Sequence, residues 1–121
     1  MKCIVVEDDP FWMEEISAAM SAHGVEVLQA TTAAEGVRLV SREPGSAMIL
    51  DIILPDQDGL EVLRDVRAVR PDVRVLAISG GGRLGADFYL KLAQAFGADA
   101  IIEKPFTAAA LVAAWDKVVA V

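Results

Sequence analysis

Short runs of β-branched and other apolar residues alternate along this chain with longer stretches of helical periodicity. The runs are Lys2-Cys3-Ile4-Val5-Val6, Val25 to Gln29, Ala47-Met48-Ile49-Leu50 ending at Asp51, Val73 to Ile78, and Ala100-Ile101-Ile102. Each is short enough for a strand and is followed by turn formers or a capping residue. Helix one is predicted from Pro10 to about Ala22, capped by Asp9, with Phe11, Ile16, Ala19 and Met20 on an inner face and Gly24 ending it. Thr32-Ala33-Ala34-Glu35 has capping-box spacing and opens helix two, which ends near Arg42 before Pro44-Gly45. Leu60, Leu63, Val66 and Val69 mark helix three, stopped before Pro71 because the residue ahead of a proline is pushed out of the α region. Phe88, Leu92 and Phe96 mark helix four, with Gly97 as its C-terminal cap, and Thr107 caps a fifth helix that runs almost to the last residue. Strand and helix in strict alternation predict an α/β fold with a parallel sheet and crossover helices. Five such units fill residues 1–121 as one domain, with no internal repeat or linker.

Composition narrows the function. Hydrophobic residues make up 55% and charged residues 24% of the chain, which is the balance of a folded domain. The formal net charge of -7 argues against the basic footprint that a nucleic-acid backbone requires. The single cysteine, Cys3, allows no internal disulfide and fits a reducing compartment. No run has transmembrane length, and the first residues lack the apolar core of a signal peptide. A cytoplasmic domain without a membrane partner is expected.

The chemistry-bearing residues collect at strand ends. Glu7 and Asp8 follow the first strand, Asp51 closes the third, Ser79 the fourth, and Lys104 follows the fifth. In a right-handed parallel sheet these ends share one edge, where α/β folds bind ligands. Three carboxylates brought together repel one another unless a cation joins them, and all-oxygen ligation suits Mg²⁺. Lys104 and the Ser79 hydroxyl are expected on the other side of Asp51, shaping the site for an anionic group. Such a set is what phosphoryl transfer asks for, with Asp51 as the nucleophile. Any one acidic strand end is more often a cap or turn than a ligand. Asp9, Asp56 and Asp58 are read that way, His23 is given no site, and Cys3 and Trp12 are expected to pack against apolar surface.

The acidic pair in Val5-Val6-Glu7-Asp8-Asp9, the Asp51…Leu54-Pro55…Asp58-Gly59 segment, Ile78-Ser79-Gly80 and Lys104-Pro105-Phe106 resemble, in order and over the whole chain, the receiver domains of two-component response regulators. That resemblance implies a flavodoxin-like doubly wound sheet of order 2-1-3-4-5 and a cis peptide before Pro105. It implies Asp51 as phosphoacceptor, and Mg²⁺ held by Asp8, Asp51 and the Ile53 carbonyl, with Glu7 acting through water. Ser79, the Gly80 N–H and Lys104 would contact the phosphoryl group. The implied donor is a sensor histidine kinase or histidine phosphotransfer protein, and the implied readout is a homodimer, output domain or partner protein at helices four and five. On this reading the chain is a signalling switch and not an enzyme.

This chain has its own features within that pattern. Ile101 stands where the family often has an aromatic that swings inward, leaving Phe88 or Tyr89 of helix four as replacements. The loop Gly80-Gly81-Gly82-Arg83-Leu84-Gly85 is long and glycine-rich, so the signal can be carried by its reordering. Ile53 and Gly81 occupy positions that tune the attacking water, and neither side chain holds one, so slow self-dephosphorylation is expected. Helix five, apolar nearly all round, reads either as a contact surface or as an alanine-rich helix with a modest exposed patch. The alternatives are a receiver-like interaction domain that phosphorylation does not regulate, a haloacid-dehalogenase-like phosphatase and a flavodoxin-like mononucleotide binder. Ile53 occupies the position where the phosphatase would need its second aspartate.

Overall fold

The computed structural model describes residues 1–80 and 86–120, without the side chains at 86, 87, 89, 90 and 92. The elements run β1 (Lys2–Val6), α1 (Pro10–Ala22), β2 (Glu26–Ala30), α2 (Ala33–Arg42), β3 (Ala47–Asp51), α3 (Gly59–Val69), β4 (Val75–Ser79), α4 (Ala86–Ala95), β5 (Ala100–Glu103) and α5 (Ala108–Val119). All strand pairs are parallel and the sheet order is β2-β1-β3-β4-β5, the doubly wound arrangement that the resemblance implied.

Alternation along β1 divides the core. Cys3 and Val5 face a layer with Met13, Ile16 and Met20 of α1 and Leu111, Trp115 and Val118 of α5. Ile4 and Val6 face the opposite layer, with Val40 of α2 and Val62, Leu63 and Val66 of α3. β3 and β4, covered on both sides, are buried at every position, which is why they read as unbroken apolar runs. Asp51 is thus carried by one of the least exposed segments of the molecule.

Several boundaries and faces differ from the sequence expectation. Val25 precedes β2 because its N–H donates to Met20 O of the helix exit, 3.0 Å, and Val73 precedes β4 because its N–H closes the turn onto Arg70 O, 3.2 Å. Phe11 lies exposed and Met13 takes the inner position, so the buried stripe of α1 is Met13, Ile16, Ala19 and Met20. Val69, Phe88 and Phe96 are also exposed, while Ala93 of α4 is buried against Ala77 of the sheet and Ile52. Gly24 and Gly97 end their helices at φ +80 and +98, a region that side chains disfavour. Gly59 has a steric role: an added Cβ would lie 2.1 Å from Ile52 Cα, so only glycine lets α3 start beneath the end of β3. His23 bonds Asp116 of α5 at 2.8 Å, a partner that the sequence did not suggest. On α5, Leu111, Trp115 and Val118 are buried while Ala108, Ala109, Ala110 and Ala113 face outward together with Asp116 and Lys117, so its exposed side is small residues at the start and charged ones near the end. The expectations for Gly81, Gly82, Arg83, Leu84, Gly85 and Val121, and for the side chains of Tyr89 and Leu92, lie outside the described residues.

Candidate functional site

Parallel strands running the same way bring their ends to one edge. Glu7 follows β1, extends its pairing through an N–H bond to Ala30 O at 3.0 Å, and is fully buried, whereas Asp8 is exposed. Asp51, 4% exposed, closes β3, and its Oδ1 accepts from the Ile53 N–H at 2.8 Å. Ser79 closes β4. Just past β5, the Lys104 N–H donates to Ser79 O at 2.8 Å, and the Lys104-Pro105 peptide is cis as expected. Asp9 caps α1 through the Phe11 N–H at 2.9 Å, and Asp58 caps α3 through the Leu60 N–H at 2.8 Å, the structural roles assigned from sequence.

Glu7, Asp8 and Asp51 each present a carboxylate oxygen within 4.8 Å of the others. The Lys104 ammonium donates to Glu7 Oε1 at 2.5 Å and to Asp51 Oδ2 at 3.2 Å. The lysine therefore bridges Glu7 and Asp51, whereas the sequence predicts it on the far side of Asp51. Two buried carboxylates this close demand a cation, and the lysine is long enough to supply it. Burial pushes the Glu7 carboxyl above the usual range, and the neighbouring Asp51 adds to this against the opposing pull of Lys104. Asp8 is raised by desolvation and by the Glu7 charge. Burial pulls Lys104 down, but its bonds to Glu7 and Asp51 and their charges outweigh that, leaving it above the ordinary lysine value.

These groups line an open pocket of about 320 Å³ together with Asp9, Trp12, Ile53 and Gly80. Gly80 lies so near the lysine stem that a Cβ there would meet Lys104 Cδ at 2.8 Å. Ser79 sits behind this wall, fully buried, and its Oγ has no hydrogen-bond partner among the described residues. An all-oxygen donor set with one exposed member can hold a hard divalent cation, and the residues present fit Mg²⁺. A larger groove of about 520 Å³ along α1 shares Glu7 and Asp8 but has neither the lysine nor the serine, so the chemistry belongs to the smaller pocket. Ile101 packs against Ile52, Ala77 and Ala93.

Two contributors escaped the sequence reading. Asp56 accepts from the Ala33 N–H with both oxygens, 3.1 Å each, tying the loop after Asp51 to the start of α2. Trp12 places its ring 5.4 Å from the Lys104 ammonium. Neither follows from local spacing, because both contacts join distant segments.

Residues 3–116 match the response regulator receiver domain family. This chain belongs to that family. The response regulator MprA of Mycobacterium leprae is 31% identical over 99 residues, covering 74% of this chain and 43% of that protein. The acid tolerance regulatory protein ActR of Rhizobium meliloti is 31% identical over 81 residues, 67% of this chain and 42% of its own length. The chain thus spans less than half the length of these relatives. Among solved structures, the receiver domain of NtrX from Brucella abortus superposes with a TM-score of 0.87 at 27% identity, covering 96% of each chain. A CheY-like receiver from Methanospirillum hungatei gives 0.82 at 28% identity, over 93% of this chain and 87% of that one. Receiver domains are signalling modules of two-component systems, and this receiver has the family's acidic cluster at the sheet edge. Among the described residues, no helix is long and apolar enough to cross a membrane.

Proposed function

We propose that residues 1–121 form one receiver domain that switches by phosphorylation of Asp51. The observation that carries this reading is the Ser79 hydroxyl, buried without a partner among the described residues on the strand between those that deliver Asp51 and Lys104. Such a group is costly unless something arrives to bond it. A phosphoryl group on Asp51 would be that acceptor.

In the reaction, an Asp51 carboxylate oxygen forms a bond to phosphorus as the P–N bond of a phosphohistidine breaks, and the electron pair leaves on the imidazole nitrogen. Mg²⁺, held by Asp8, Asp51 and the Ile53 carbonyl with Glu7 acting through water, would neutralise charge on the transferring group. The chain's own residues do the rest. Lys104 exchanges a carboxylate for a phosphoryl oxygen, the Ser79 hydroxyl turns its hydrogen to another, and the Gly80 N–H donates to the same group. The donor is a sensor histidine kinase or histidine phosphotransfer protein of the cytoplasm. The altered face at α4, β5 and α5 then controls a partner, a second copy or an output domain, and no nucleic acid is bound directly.

Intact mass after treatment with Mg²⁺ and acetyl phosphate tests the reading. One phosphoryl adduct is expected, absent without Mg²⁺ and absent in Asp51→Asn. An adduct that survives the substitution, or none in the unsubstituted protein, overturns it.

A further inference from the structure

Trp12 lines the acidic pocket without a part in the reaction just described. It lies in the first turn of α1, half-buried, with its ring centroid 5.4 Å from Lys104 Nζ. The same ring packs on Phe106, centroids 4.8 Å apart at 42°, and Phe11 meets it edge-on at 5.3 Å and 82°. Lys104 is therefore enclosed by different kinds of neighbour. Glu7 and Asp51 take its hydrogen bonds, the backbone at Gly80 crowds its stem, and an aromatic ring lies beside its ammonium.

That ring is well chosen for a cation that has to move. A lysine carries its charge on a flexible stem, and an indole within about 6 Å attracts an ammonium without offering it an acceptor oxygen. A carboxylate or amide in place of Trp12 would bind the ammonium and hold it away from Asp51. The ring restrains the charge and leaves its hydrogen bonds to the carboxylates or to a phosphoryl group.

We propose that Trp12 is a positioning residue for the proposed phosphoryl transfer, keeping the Lys104 ammonium beside Asp51 and, through Phe106, coupling the lysine's position to the turn between β5 and α5. The inference rests on the reading of Asp51 as phosphoacceptor. Phe106 is two residues past the lysine and joins the core layer shared by α1 and α5, so a displaced ammonium is felt in that turn through the Trp12 ring.

The test has a kinetic and a spectroscopic arm. Adduct formation from acetyl phosphate, followed by intact mass, is expected to be about 3- to 10-fold slower in Trp12→Leu, as loss of a partly desolvated cation–π contact implies, and restored to within about twofold of the original by Trp12→Phe. The Mg²⁺ concentration for half-maximal rate stays the same in all three. The chain has two tryptophans, so Trp115→Phe leaves Trp12 as the only indole. Its emission is expected to change on adding Mg²⁺ with beryllium fluoride beyond the change with Mg²⁺ alone, and not in the Asp51→Asn background. An unaltered rate in folded Trp12→Leu, or Trp12→Phe as slow as Trp12→Leu, overturns the inference while leaving Asp51 as phosphoacceptor. If Trp12→Leu fails to fold, unchanged Trp12 emission overturns it. Absence of any adduct in the original protein removes both readings together.

Discussion

Replacing Ser79 by alanine deletes a hydroxyl that is fully buried and finds no partner among the described residues. A buried donor left unsatisfied costs roughly 1–3 kcal/mol, and its removal returns that amount. Against it stands the void left by one oxygen, about 20 Å³, which at about 24 cal/mol per Å³ costs roughly 0.5 kcal/mol. The net expectation is a gain of about 0.5–2.5 kcal/mol, or a melting temperature raised by roughly 3–5 °C per kcal/mol for a domain of this size. Urea and thermal unfolding at neutral pH without Mg²⁺ measure it. Adding Mg²⁺ and beryllium fluoride should reverse the order, because the hydroxyl of the original protein then has an acceptor and the alanine has nothing to offer. A Ser79→Ala protein less stable by about 1 kcal/mol in the first condition would show that the hydroxyl is already satisfied, and the argument from it would fail.

Other consequences are separately testable. Glu7 and Asp8 have folded-state values raised above their unfolded ones, so the folded chain holds the extra protons and stability falls as pH rises through the raised values. Asp8→Asn should therefore raise the Mg²⁺-free melting temperature at pH 7 and much less near pH 4, and it should abolish stabilisation by Mg²⁺; equal effects at both pH values refute this. Asp56→Ala removes a charged acceptor from the Ala33 N–H at the start of α2 and should cost about 1 kcal/mol in urea unfolding, with a change below about 0.3 kcal/mol counting against it. The Ile53 side chain lining the pocket cannot hold a water, so the phosphorylated protein should persist for minutes or longer at neutral pH. Decay within seconds would contradict that.

What the sequence made legible follows from the range of the interactions involved. The strands, the helix caps at Asp9, Thr32, Asp58 and Thr107, and the glycine exits at Gly24 and Gly97 are set by neighbours a few residues away, and they lie where their spacing predicts apart from the shifted bounds of β2 and β4. The gathering of Glu7, Asp8, Asp51, Ser79 and Lys104 followed from one further step, that parallel strands end together. Contacts made across that edge were not legible. Phe11 is a different case: Met13 stands three residues before Ile16 and seven before Met20 and so shares their stripe, whereas Phe11 lies on another side of α1, so helical spacing itself favours Met13. Lys104 was assigned a side of Asp51 by strand order, whereas its long side chain reaches back to Glu7, 97 positions earlier. Asp56 and Trp12 likewise find their partners through the fold.

The lysine bridge also bears on how the proposed switch is driven. Four carboxylates, those of Glu7, Asp8, Asp9 and Asp51, and one ammonium line the pocket, a formal excess of negative charge that a divalent cation would offset in large part. Converting the Asp51 carboxylate to an acyl phosphate adds about one more negative charge, and it does so next to an ammonium shared with Glu7. The more highly charged phosphoryl oxygens would then compete with Glu7 for Lys104. Glu7 could give up the lysine by taking a proton in its place, since burial pushes its carboxyl above the usual range. Movement of Lys104 away from Glu7 would thus be an electrostatic consequence of the proposed modification. Pro105 and the Phe106 ring follow that lysine directly in the chain, so the turn into α5 is positioned to respond.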